Sequence, residues 1–171
     1  MKKQENNTAY IDAANLHSAV KKLGWDLDYA RLRVWLEEKY SIKRAYLFIG
    51  LVPRYKNLYT YLQECGFTLV FKETVHDGDG NIKGNCDANL VLQMVHDFFE
   101  KKCDGAFLVS SDGDYASTVS FLQERGILVG ILSPGLKCSI LLKRLNPKIW
   151  YLGDQKNDLQ KEKAPDTDGT V

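Results

Sequence analysis

The run Phe107-Leu-Val-Ser-Ser-Asp-Gly-Asp-Tyr115 constrains the fold more than any other stretch of this chain. Its apolar start reads as a strand buried on both faces, and the strand stops abruptly at two serines and two aspartates. Near the start of the chain Ala9-Tyr-Ile-Asp12 ends in the same way and is followed by Ala-Ala-Asn15. Strands of this kind belong to open α/β sheets, which bind their ligands beyond the C-terminal ends of the strands. Two strands that each finish in a carboxylate predict a shared acidic pocket, and such a pocket suits a hard divalent cation.

The rest of the chain repeats the alternation of short apolar runs with helical patterns. Strands are expected at 9–12, 44–49, 68–71, 106–109 and 128–132, with a weaker one at 149–152. Asp28 reads as the N-cap of a helix through Glu38, and Leu32, Trp35 and Leu36 share one face of it. Further helices are expected at 55–65, closed by Gly66, at 86–101, and at 115–125, before Gly126. This order predicts an α/β domain with a mainly parallel sheet and helices on both faces. The domain is expected to span 8–152, with 1–7 and 153–171 as flexible termini, because the last stretch is polar and mixes Lys with Asp and Glu. His76 to Gly84 reads as a turn-rich loop or hairpin tip between strand and helix.

Four carboxylates carry the chemistry. Asp12, Asp112 and Asp114 sit at strand ends, and Asp87 opens the longest helix. Steps of three and four from Asp87 reach Leu90, Val91, Met94, Val95 and Phe98, an apolar stripe that places the acid in the first turn of the core-facing side. An inward carboxylate is costly unless it is paired or coordinates a metal. Each acid also has a local explanation: Asp87 favours the positive end of its helix by about 0.3–1 kcal/mol, while Asp12, Asp112 and Asp114 suit caps and turns. Their joint placement at one sheet edge is the stronger observation. Magnesium or manganese prefers oxygen ligands and keeps several waters, so two or three carboxylates suffice. Such ions polarise a phosphodiester and lower the pKa of a water. Ser110 and Ser111, with the N–H groups that open the next helix, can hold a phosphate, and Asn15 can position a phosphate or a water.

Several classes are disfavoured. No apolar stretch approaches the roughly 20 residues that cross a bilayer, and the first residues show no leader pattern, so no membrane partner and a cytoplasmic location are expected. Four scattered cysteines without a Cys-x-x-Cys pair support neither a zinc site nor a disulfide framework. Asp77-x-Asp79-x-Asn81 imitates the opening of a calcium-binding loop, but Ile82 and Ala88 occupy its Gly and Glu positions. No dinucleotide, nucleoside-triphosphate or serine-hydrolase motif is present.

Ile11-Asp-Ala-Ala-Asn-Leu16, Lys83-Gly-Asn-Cys-Asp87 and Leu108-Val-Ser-Ser-Asp-Gly-Asp-Tyr115 resemble, in order and spacing, the motifs of the NYN domain family, which includes the LabA-like proteins and belongs to the PIN-like nuclease group. The resemblance implies a PIN-like three-layer α/β/α sandwich and a metal-dependent endoribonuclease. It implies that Asp12, Asp87, Asp112 and Asp114 hold Mg2+ or Mn2+ and catalyse, with RNA as the partner and products ending in 5′-phosphate and 3′-hydroxyl. Asn15, Ser110, Ser111, Lys83 and Arg54 are the candidates for substrate contact. PIN-like relatives often pair, which leaves a homodimer open. The chain departs from the family at Ala13-Ala14, where Asp-Gly is usual. It also carries Gln93 near the place of a second helix acid, and Asp97 reads as falling off the apolar stripe. Two other readings stand beside the nuclease: an RNA-binding or scaffold protein of the same fold, and a phosphohydrolase acting on a small metabolite.

Overall fold

A computed structural model describes residues 5–73, 75–76, 78–79, 82–83 and 86–162. Six parallel strands form one sheet in the order β3-β2-β1-β6-β7-β8. They are β1 (Asn7–Asp12), β2 (Ile42–Leu51), β3 (Thr68–Glu73), β6 (Gly105–Val109), β7 (Leu128–Ser133) and β8 (Ile149–Tyr151). The short β4 (Val75–His76) and β5 (Ile82–Lys83) pair antiparallel as a separate hairpin, where the sequence predicts a hairpin tip. The helices are α1 (Ala13–Val20), α2 (Tyr29–Tyr40), α3 (Lys56–Glu64), α4 (Asp87–Phe99), α5 (Ala116–Glu124), α6 (Ile140–Lys143) and α7 (Lys156–Leu159). None of the described helices is long and apolar enough to cross a membrane.

Strand parity divides the core into two layers. Ala9 and Ile11 of β1, Leu47 of β2 and Phe107 and Val109 of β6 pack with Leu16 of α1, Leu32, Trp35 and Leu36 of α2 and Leu62 of α3. The alternate residues Tyr10, Tyr46, Phe48, Ala106 and Leu108 pack with Leu90 and Met94 of α4 and Val119 and Leu122 of α5. The result is the expected three-layer α/β/α sandwich. Central strands covered on both faces favour apolar residues, which is why Ala9–Ile11 of β1 and Ala106–Val109 of β6 read as hydrophobic runs. Phe107 anchors the first layer, with ring centroids 4.6 Å from Tyr40 and 5.8 Å from Trp150.

Local signals set most of the boundaries. The Asp28 side chain accepts the Arg31 N–H at 3.1 Å and caps α2. Gly66 turns the chain out of α3 at φ +95°, which a glycine adopts without steric cost. The expected domain limit at Leu152 falls short. Leu159 is fully buried against the first layer, and Leu27 pairs with Gln160 in an isolated antiparallel bridge. The polar composition of this segment hid one apolar residue that reaches the core.

The Trp150 ring lies over the backbone of β7 at Gly130, where an added methyl group would overlap the ring and meet the Lys148 carbonyl at 3.0 Å. Gly130→Ala should therefore destabilise the fold by about 1–3 kcal/mol. The expected result is a lower denaturant midpoint with an unchanged slope.

Candidate functional site

Chain order reverses direction across the sheet between β1 and β6. The connections after β1 lead outward to β2 and β3, and the chain then returns to β6 on the opposite side. In open α/β sheets the crevice at such a switch point is the usual ligand site. Ile11 is level with Val109 in the parallel register, so Asp12 and Ser110 follow at the same height. Both continue the parity of Tyr10 and Leu108 and therefore lie on the α4–α5 side of the sheet.

Asp12 is 7% exposed and does two jobs. Its Oδ1 accepts the Asn15 N–H at 3.0 Å and caps α1, the local role that sequence suggested. Its Oδ2 accepts the hydroxyls of Tyr115 at 3.2 Å and Ser110 at 3.4 Å. Burial pushes the Asp12 carboxyl above its ordinary range; the Asn15 N–H works against that shift, and the neighbouring charge of Asp87 adds to it.

The loop after β6 is tied to both sides. The Ser111 N–H and hydroxyl both donate to Asn15 Oδ1 at 3.0 Å. Asp112 donates its N–H to Ser110 Oγ at 3.2 Å and accepts the Asp114 N–H at 3.0 Å, opening a 3-10 turn over Gly113–Tyr115. That turn carries the Tyr115 ring inward, where it is 1% exposed. Its hydroxyl reaches Asp87 Oδ1 at 2.7 Å as well as Asp12. One phenol proton thus serves two carboxylates, and the shorter contact to Asp87 takes the better share of it. Burial, then the charge of Asp12, raises the Tyr115 pKa far beyond its usual value, so the phenol stays a donor. Sequence reading treated Tyr115 only as the end of a motif and the start of a helix; its signal was an aromatic residue placed directly after two acids.

Asp87, Asp112 and Asp114 each offer an oxygen, and these atoms lie within 4.8 Å of one another. Asp12 stands behind this trio, joined to Asp87 through Tyr115. An all-oxygen set of close, partly exposed carboxylates fits a hard cation such as Mg2+ or Mn2+. The adjacent Cys86 thiol, raised in pKa by burial, is not among the three grouped ligands.

A cleft of about 720 Å³ opens beside the acids on the β2 side, walled by Tyr29, Phe48, Val52, Tyr55, Leu58 and Tyr59. Arg54 is exposed at its rim, with its guanidinium 4.9 Å from the Tyr55 ring centroid. Lys83 lies in the β4–β5 hairpin, and its side chain falls outside the described residues. Gln93 does not face the acids; it donates to Asp97 at 2.8 Å. Asp97 corrects the sequence reading. It is 2% exposed, packs on the inner face of α4 and accepts the Tyr10 hydroxyl at 2.9 Å. Leu90, Met94 and Asp97 follow the helical period that leads inward, so the second acid of α4 serves the core and not the cluster.

The raised Asp12 carboxyl has a signed consequence. Below the unfolded carboxylate value both states are protonated and burial costs nothing; above the folded value both are ionised and the full penalty applies. The metal-free protein should therefore lose stability as pH rises through that window. Asp12→Asn should remove Asp12's share of that dependence and be more stable than the native protein at neutral pH. Denaturant midpoints against pH, in chelator, for both proteins would show the difference.

Comparison with known proteins adds the family. The crystal structure of a protein of unknown function from Vibrio parahaemolyticus RIMD 2210633 superposes with a TM-score of 0.73 at 19% identity, covering 93% of this chain and 99% of the other. At that identity the likeness establishes the fold. No curated protein matches the chain. The family model of the NYN domain matches residues 8–146, which takes in Asp12, Asp87 and the Asp112–Asp114 loop. The chain belongs to the NYN domain family.

Proposed function

We propose that this protein is a divalent-metal-dependent endoribonuclease acting on RNA in the cytoplasm. The observation that carries the reading is the convergence of Asp87, Asp112 and Asp114, with Asp12 behind them, at the switch point of the sheet and beside an open aromatic cleft. Membership of the NYN family supports it. Asp87, Asp112 and Asp114 would hold Mg2+ or Mn2+ directly, and Asp12 adds negative charge at their back. A bound divalent cation there supplies neutralisation of phosphoryl charge and a lower pKa for an attacking water.

The chain's own residues prepare the substrate. Asn15 is locked through its Oδ1 by Ser111, while its amide nitrogen has no hydrogen-bond partner among the described residues and can donate to a phosphate oxygen. Tyr115 fixes the spacing of Asp12 and Asp87, which would otherwise repel at close range. Phe48 and Tyr59 of the aromatic wall are buried, and the exposed Tyr55 offers the face on which a base can stack, at about 1–3 kcal/mol. One observation favours a second reading, an RNA-binding protein with little turnover: Asp97, the other acid within α4, is committed to Tyr10 and Gln93, so α4 brings a single carboxylate to the cluster.

Cleavage of labelled single-stranded RNA containing a hairpin, in Mn2+, Mg2+ and chelator, separates the readings. Metal-dependent cutting should fall at least about a hundredfold in Asp112→Asn. RNA retention without cutting would select the binding protein, and neither would turn attention to small phosphoesters. Tyr115→Phe should keep the fold and weaken metal affinity or rate by about 10–100-fold, as expected for a group that orients ligands. A Tyr115→Phe protein as active as the native one would remove the positioning role.

A further inference from the structure

A second depression lies on the side of the acids away from the aromatic cleft. It has a volume of about 380 Å³ and is bordered by Asn15, Ser18, Lys22, Ser111 and Lys137, together with the Gly135–Leu136 backbone segment. Two independent parts of the chain build it. Asn15, Ser18 and Lys22 follow one another along α1 and its first following turn at steps of three and four, so they share a stripe. Lys137 comes from the loop between β7 and α6. That loop is tied to the acidic loop: Ser139 donates its N–H to the Ser111 carbonyl at 3.1 Å, and the Ser133 hydroxyl donates to the Gly135 carbonyl at 3.4 Å.

The charge pattern is selective. No carboxylate borders this depression, although the acid cluster begins one residue beyond Ser111. Lys22 and Lys137 are exposed, and neither is ion-paired among the described residues. Two ammonium groups with no ion pair among the described residues, the Ser18 hydroxyl and the Asn15 amide nitrogen border a space of molecular size. Such a set recognises a phosphate. Sheet order gives the direction of travel. From β2 across β1 and β6 to β7, the C-terminal edge presents an aromatic wall, then carboxylates, then the loop that carries Lys137, with Lys22 bordering the same depression from just beyond α1. Stacking faces alternating with a basic groove are what a single nucleic-acid strand requires.

We propose that Lys22 and Lys137 form a subsite for a backbone phosphate of single-stranded RNA, adjacent to the phosphate placed over the carboxylates. The strand crosses the sheet edge with bases in the Tyr55–Tyr59 cleft on one side and its phosphate held in the lysine depression on the other. Asn15 is common to both. This subsite rests on the reading of the acidic centre as an RNA site, and it adds which residues grip the chain and which way the chain runs.

Binding of short fluorescent single-stranded RNA in chelator, which stops cutting, tests the subsite across a salt series. In the counterion-release picture one lost phosphate contact flattens the slope of log K against log salt by about 0.7 and weakens binding about fivefold at 0.1 M salt. The double variant Lys22→Ala/Lys137→Ala should show both effects. Lys22→Arg/Lys137→Arg should bind like the native protein, as should Lys148→Ala, an exposed lysine preceding β8 at the other edge of the sheet. Native-like affinity and slope in the double alanine variant, or an equal loss in Lys148→Ala, would overturn the subsite and leave the acidic centre's reading intact. Absence of salt-dependent RNA binding by the native protein would overturn both.

Discussion

The parallel pairing of β1 with β6 is the constraint on which the rest of the site depends. Each strand is covered on both faces, and Ala9–Ile11 and Ala106–Val109 are packed alternately into the two layers. Both strands turn polar at their C-terminal ends, at Asp12 and Ser110, and the register brings those ends to the same level. Asp12 and Ser110 therefore meet without any special contact to recruit them. The same parity that sends Tyr10 and Leu108 towards α4 and α5 sends these two polar residues towards Asp87 and Tyr115. Geometry set by hydrophobic burial thus assembles a group of charges.

Those charges are uncomfortable without compensation. A carboxylate as buried as Asp12 loses its hydration, and a second carboxylate nearby adds repulsion. Three donors, from Asn15, Ser110 and Tyr115, soften the cost without cancelling it. The buried Asp97 offers a contrast within the same helix, since Tyr10 and Gln93 both donate to it. One acid of α4 is held by donors in the core, and the other, bonded to Tyr115, stands beside Asp112 and Asp114.

Much of this was legible in sequence because buried parallel strands and their polar ends leave a coarse pattern. The strands, the helix caps at Asp28 and Asp12 and the edge placement of the acids all follow from local runs. Three features were hidden, each for a physical reason. Tyr115 points inward because a 3-10 turn rotates it, and no periodicity announces a single turn of that kind. Asp97 looked off the stripe because Val91, Val95 and Phe98 draw the apolar face to one side, whereas the buried side runs through Leu90 and Met94 to Asp97. The segment over 156–160 looked unstructured because its one buried residue, Leu159, has its partners far away in the chain.

The placement of Leu159 bears on how the molecule is made. The layer over β1 and β2 contains α1, α2 and α3, all synthesised early, yet it is joined by Leu159, which follows them far along the chain. Until residue 160 has left the ribosome, the layer lacks Leu159 and Leu27 lacks the backbone partner it finds at Gln160. Domains generally fold as units as they leave the ribosome. Here the unit cannot close until residue 160 has emerged, so a pause or truncation shortly before that point would leave apolar surface open to chaperones and to other chains.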